Sequence, residues 1–239
     1  MGSQLTDVAR CWTELGGEDP MWAALTDAGK GGTWNTAEFL RTGRREVDAV
    51  LALLARRGVA PTMGTALDFG CGPGRLTAGR AAAGFARVIG MDVSPTMLAR
   101  ATEIVDDERC EFLLNTGTDL AAVPAGSVDL VYTCRVLQHM PTELSHGYIR
   151  EFLRVAAPGA PVVFQLPSEP AGGPVGRAMR ALPTPLLNRL RKGMQMHGTP
   201  PAAVTRLIAE AGGVTVSVEE DDSAGPRWRS HLYVVRAVG

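Results

Sequence analysis

Most of the features that would mark a specialised chain are missing here. The 239 residues hold four cysteines, Cys11, Cys71, Cys110 and Cys134, and no pair stands at Cys-x-x-Cys spacing, so neither a disulfide framework nor a zinc site is implied. Basic charge is not in excess: 24 lysines and arginines face 25 aspartates and glutamates, a net charge of −1, which is not the footprint of a phosphate-backbone binder. No apolar run approaches the ~20 residues that span a bilayer. The N-terminal Met1-Gly2-Ser3-Gln4-Leu5-Thr6-Asp7 lacks a basic region followed by an apolar stretch. The expectation is a cytoplasmic protein with reduced thiols. Internal repeats and low-complexity tracts are also lacking.

What is present is ordinary globular composition, 45% hydrophobic and 21% charged, in a length that suits one large domain or one domain with an added cap. Residues 1–46 carry Trp12, Trp22 and Trp34 among several glycines and read as a cap of short helices and loops. Val47, Val50, Leu51 and Leu54 fall at i, i+3, i+4, i+7 and predict an amphipathic helix over 46–57, ended by Gly58. From Thr65 short apolar runs alternate with helical stretches: 66–69, 88–91, 112–114, 128–132 and 162–164. Such alternation predicts a parallel sheet covered by helices. Ser94-Pro95 reads as an N-cap with proline at the first helical position, and Pro73 follows a glycine turn in the same sense. The proline-rich stretch 167–200 carries Arg177, Arg180, Arg189, Arg191 and Lys192 without an intervening acid and reads as a solvated lid or insert. A helix over 202–211 and strands over 214–218 and 232–235 complete the chain.

The specific signal lies in Asp68-Phe69-Gly70-Cys71-Gly72-Pro73-Gly74-Arg75, a strand running into three glycines at alternate positions. Ligands in open α/β sheets bind at the carboxyl ends of the strands, where glycines let backbone approach them. A dinucleotide fingerprint needs a further glycine where this chain has Arg75 or, in the other register, Thr77, and no Gly-Lys-Ser/Thr triplet of a P-loop occurs. Asp92 ends the second strand 20 residues after Gly72, placed to accept hydrogen bonds from both hydroxyls of a ribose. A nucleoside without phosphates fits both observations.

These two motifs resemble the class I S-adenosylmethionine-dependent methyltransferases of the small-molecule branch, over roughly Thr65 to Leu166. The resemblance implies a doubly wound, Rossmann-like, seven-stranded, mostly parallel α/β sheet with helices on both faces and a helical cap. It implies one domain over 1–239, divided as cap 1–46, cofactor-binding core 47–166, lid 167–200, and a C-terminal helix with an antiparallel strand pair over 201–239. By the same resemblance Asp68, Gly70, Cys71 and Gly72 would hold the methionine moiety and Asp92 the ribose. Val93 and Met97 would lie by the adenine, Thr118, Asp119 and Leu120 at its amino edge, the backbone around Cys134 would contact the cofactor, and Gln138 would lie near the reacting centre. Trp34 and Phe39 would close over the cofactor or substrate, or simply anchor the cap.

Methyl transfer to a hydroxyl needs alignment and a base of near-neutral pKa, a part that suits His139 first and His197 second. The plainer alternative for His139 is a backbone-bonded turn residue. Asp221-Asp222 reads as a polar turn, and no metal is expected. The implied activity is methyl transfer from S-adenosylmethionine, leaving S-adenosylhomocysteine, to a small-molecule acceptor, preferably a hydroxyl of a sugar or secondary metabolite. Alternatives are N- or C-methylation, a catalytically inactive S-adenosylmethionine-binding regulatory subunit, or an oxidoreductase on a similar sheet. Nucleic acid and a membrane span are not expected, and the sequence leaves room for a homodimer.

Overall fold

The computed structural model describes residues 2–26, 34–171 and 195–238. The expected basic lid, with Arg177, Arg180, Arg189, Arg191 and Lys192, lies outside the described residues. Seven strands form one sheet: β1 (Thr65–Phe69), β2 (Arg87–Asp92), β3 (Cys110–Leu114), β4 (Leu130–Thr133), β5 (Pro161–Pro170), β6 (Gly213–Asp221) and β7 (Trp228–Ala237), in the order β3-β2-β1-β4-β5-β7-β6. The first five run parallel, and β7 inserts antiparallel between β5 and β6. The sheet is the Rossmann-like arrangement expected.

Among the described residues seven helices flank it: α1 (Gly2–Glu18), α2 (Pro20–Ala24), α3 (Thr36–Arg56), α4 (Arg75–Ala83), α5 (Pro95–Ile104), α6 (Thr142–Val155) and α7 (Pro201–Glu210). Successive side chains of a strand point to opposite faces, and each face has its own core. Leu67, Phe69, Ile89, Met91 and Val131 pack with α6 and α7, through Ile149, Phe152, Val204 and Ile208. Ala66, Val88, Leu130 and Tyr132 pack with α3 and α4, through Val47, Val50, Leu54 and Leu76.

The local helix signals held where they were chemical. Ser94 caps α5, its Oγ accepting from the Met97 amide at 3.3 Å, with Pro95 opening the helix. Pro73 does not open α4, which starts at Arg75 after Gly74 in a left-handed conformation. The helix expected over 46–57 begins ten residues earlier, at Thr36, where Asn35 accepts hydrogen bonds from the amides of Ala37 (2.9 Å) and Glu38 (3.3 Å). Its buried stripe continues through Phe39 and Gly43 to Val47, but a glycine and a charged run break the apolar pattern there. Gly43 is a contact in its own right: a Cβ would overlap the Arg75 carbonyl, so α3 meets the start of α4 backbone to backbone. The cap is also longer-helixed than expected, since α1 alone spans 17 residues. The expected limits at 46/47 and 166/167 fall inside α3 and β5.

Candidate active site

The carboxyl ends of β1, β2 and β4 open on one cavity of about 760 Å³, the size of small-molecule and cofactor sites. One wall is the glycine loop. Gly70, Gly72 and Gly74 have φ of 72°, 53° and 81°, a region that L side chains rarely enter. At Gly70 a Cβ would also overlap the Val136 side chain, so position 70 is closed to any side chain twice over. The loop is tied to β2 by backbone: the amides of Gly70 and Cys71 both donate to the Met91 carbonyl, at 2.7 and 3.0 Å.

Asp92 stands at the end of β2 and lines the same cavity. One carboxylate oxygen accepts from the Gly72 amide at 2.8 Å, the other from the Ser94 amide at 2.9 Å. Burial pushes its carboxyl up to about 6, a rise that those amides only partly counter. Val93 and Met97 line the adjoining surface, and Asn115, first residue after β3, continues it. Asn115 donates to the Asp119 carbonyl (3.1 Å) and to the Tyr148 hydroxyl (3.3 Å), which itself donates to the Gly117 carbonyl at 2.6 Å.

The opposite wall follows β4: Cys134, Arg135, Val136, and a 3-10 turn of Leu137–His139 that presents Gln138 and His139. Burial pushes the Cys134 thiol up to about 11 and that of Cys71 well above its ordinary value, so both stay protonated. Arg135 takes φ of 62°, rare for a side-chain-bearing residue. Its guanidinium reaches Glu46 of α3 at 3.3 Å, which also accepts from Arg75 (2.8 Å) and from the Tyr132 hydroxyl (2.7 Å). Burial pushes the Glu46 carboxyl up, but the two guanidiniums and the phenol outweigh it and hold it below the usual carboxylate range. Two cations on one carboxylate leave this wall net positive.

The roof comes from α1, through Leu5, Val8 and Trp12, and from the turn between β6 and β7, through Asp222 and Arg227. The Trp12 ring meets the His139 ring edge-on, centroids 5.1 Å apart at 65°.

Of the residues singled out in the sequence, Gly70, Cys71, Gly72, Asp92, Val93, Met97, Cys134, Gln138 and His139 come together on this cavity. Asp68 does not. It points to the α3/α4 face, buried, with Thr77 Oγ1 donating to it at 2.6 Å and the Arg80 guanidinium forming an ion pair with it at 3.1 Å, because strand alternation turns it away from the loop it precedes. Thr118, Asp119 and Leu120 also lie outside the lining. The Leu120 amide is taken by Glu151 at 2.8 Å and the Asp119 carboxylate by the Ala121 amide at 3.3 Å, and Asn115 occupies the place expected for them. His197 is set back too, donating its amide to the Gln138 carbonyl at 2.8 Å while Gln195 Oε1 meets its Nε2 at 3.2 Å. Burial lowers its pKa.

Trp34 and Phe39 anchor the cap: the indole donates to the Leu25 carbonyl at 3.0 Å, its ring packs edge-on against Phe39 at 5.8 Å, and Phe39 is fully buried. Trp12, Arg75, Asn115, Val136 and Tyr148 are lining residues that sequence reasoning missed. Asn115 alone carried a signal, since it follows a strand as Asp92 ends one. Asp221 accepts from the amide and hydroxyl of Ser223, at 2.9 and 3.0 Å, as a turn residue does. Among the described residues no three His, Cys, Asp or Glu side chains converge as a metal site, and no helix is long and apolar enough to cross a membrane.

Residues 66–159 match the model of a methyltransferase domain family. The chain is 32% identical over 173 residues to a trans-aconitate 2-methyltransferase of Azoarcus sp., covering 72% of this chain and 65% of that protein. It is 37% identical over 153 residues to the protein of the same name from Methylobacterium radiotolerans, covering 62% and 55%. It thus spans between half and two thirds of the length of these curated relatives. The fold is that of magnesium protoporphyrin IX methyltransferase from Synechocystis, solved with bound S-adenosylhomocysteine: TM-score 0.66, 21% identity, 97% of this chain and 98% of that one. The glycine loop that closes on an acid at the end of the next strand, on this sheet order, lies inside the stretch that matches the methyltransferase domain family.

Proposed function

We propose that this protein transfers the methyl group of S-adenosylmethionine to an oxygen of a small-molecule acceptor. The carrying observation is that one cavity holds the Gly70–Gly72 loop and Asp92 in one wall and His139 in the other. The residues fit an adenosyl sulfonium. The loop bears no side chain at Gly70 or Gly72, a carboxylate stands where ribose hydroxyls can donate to it, and Val93, Met97 and Asn115 offer an apolar face and an amide to a base.

Bound S-adenosylmethionine supplies a methyl group on a sulfonium, open to in-line displacement. The chain's own part is to align and to exclude water. Asp92 holds the ribose, and the net positive pair Arg75 and Arg135 neutralises a carboxylate at the loop end. The roof of Leu5, Val8 and Trp12 keeps solvent from the acceptor's oxygen. His139 takes the proton that a hydroxyl acceptor releases as its oxygen bonds to carbon.

A sugar or secondary-metabolite hydroxyl remains our preferred acceptor. A carboxylate oxygen is the second reading, supported by relatives named for trans-aconitate, a tricarboxylate, and by three arginines, Arg75, Arg135 and Arg227, on the cavity. We take the chain to act as one domain in the cytoplasm.

Calorimetric titration with S-adenosylmethionine, S-adenosylhomocysteine and NADH tests the cofactor. Micromolar binding of the first two, without NADH, is expected, and the reverse pattern would return the oxidoreductase reading. Labelled-methyl transfer to hydroxyl and carboxylate panels then separates the acceptors, since a methyl ester is cleaved by mild base and a methyl ether is not.

A further inference from the structure

A chain of one-way hydrogen bonds runs from the backbone of Arg135 to the ring of His139. The Arg135 N–H, which can only donate, points at Gln165 Oε1, 3.0 Å away. That contact fixes which end of the Gln165 amide is oxygen. Gln165 Nε2 therefore donates, to Gln138 Oε1 at 3.2 Å and to Ser230 Oγ at 2.5 Å. Ser230 can receive it because its own proton goes on to Asp221 Oδ1 at 3.4 Å. With its oxygen committed to Gln165, Gln138 turns Nε2 onto His139 Nε2 at 3.1 Å, and a donor there requires a lone pair on the imidazole nitrogen. The far end agrees independently: His139 Nδ1 lies 2.9 Å from the Gln195 carbonyl, which only accepts, so the proton sits on Nδ1.

Two backbone groups, neither reversible, thus dictate the same tautomer from opposite ends. Gln165 is fully buried, and Gln138 and Ser230 are no more than 5% exposed. Turning either amide around would set N–H against N–H and leave buried polar groups unsatisfied.

We propose that Gln165 is a positioning residue which, through Gln138, holds His139 as the Nδ1–H tautomer with its lone pair on Nε2. Gln165 sits on β5 and is not among the residues that line the cavity. Use of that lone pair as a base rests on the function proposed above; the tautomer itself does not. An acceptor hydroxyl that displaces the Gln138 amide meets an Nε2 ready to take its proton, and the Gln195 carbonyl stays on Nδ1–H to stabilise the imidazolium.

Nitrogen-15 histidine spectra of the full-length chain test this without cofactor or acceptor, so failure of methyl transfer would leave the result readable. The chain has four histidines, and His139 is assigned by loss of its signals in His139→Gln. At alkaline pH the expected wild-type pattern is a protonated Nδ1 and a bare Nε2. Gln165→Glu keeps the acceptor for Arg135 N–H but has no N–H for Gln138. Gln138 should then turn its oxygen to the ring and draw the proton to Nε2. Gln165→Leu removes the link without adding charge and should shift the tautomer ratio about five- to tenfold, the worth of one lost hydrogen bond. A wild-type His139 protonated at Nε2 overturns the proposal whatever the variants do, and so does an Nδ1–H signal unchanged in Gln165→Leu.

Discussion

The two walls of the cavity are made in opposite ways. The wall of β1 and β2 comes from one stretch, residues 70–97, and its links are mostly backbone: Gly70 and Cys71 to Met91, Gly72 and Ser94 to Asp92. The wall of β4 joins side chains from distant segments: Trp12 of α1, Glu46 of α3, Gln165 of β5 and Ser230 of β7. A backbone-built wall tolerates little change of position and serves a constant ligand. A side-chain-built wall can be altered one residue at a time, as an acceptor site requires.

If this division holds, His139→Ala should lower turnover about 100-fold or more while calorimetry shows cofactor affinity within twofold of wild type. Equal loss of both would merge the two walls into one function. The mirror variant is Asp92→Ala, expected to weaken S-adenosylmethionine binding about 100-fold, since charged hydrogen bonds of ~1.5–3 kcal/mol each are removed. An unchanged affinity would put the ribose elsewhere.

The Asp92 carboxyl, raised by burial to about 6, gives that wall a pH signature. Cofactor affinity should fall as pH drops through 6 and the carboxylate is protonated. Stability of the unliganded protein should move the other way. A folded pKa above the unfolded ~3.9 means that the native state holds more protons between the two values, so this group's contribution falls as pH rises from about 4 to about 6, by at most ~3 kcal/mol. Urea unfolding of wild type and Asp92→Asn across that range should show wild type losing stability relative to the variant as pH rises.

Gly70→Ala, with a left-handed φ and Val136 in the way, should destabilise the fold by about 2–3 kcal/mol in urea titration. The smallest effect concerns the roof: Trp12→Leu should raise the acceptor KM about tenfold through lost ring contact with His139, whereas Trp34→Leu should leave it unchanged. A reversed pair would restore Trp34 as the closing aromatic.

How much was legible follows the same divide. The glycine spacing and Asp92 were readable because positive φ and a strand-end acid are local demands that few residues meet. Ser94 and Pro95 were readable for the same reason. Where Asp68 points was not legible, because a motif position does not give a side chain's direction, and strand alternation sends it to Arg80 and Thr77. The course of the loop after β3 was not legible either: it leaves Asn115 on the cavity and the Leu120 amide on Glu151. The start of α3 was hidden by Gly43, whose lack of a side chain reads as a break in sequence and is a close helix contact in space.

The sequence by itself determined the sheet's parallel core, the glycine loop and the acid that faces it, because each rests on the conformational limits of residues close along the chain. Only the tertiary structure decided which residues close the cavity, how Glu46 is shared between two arginines, and which nitrogen of His139 bears the proton. Those depend on residues tens of positions apart, whose meeting no local preference encodes.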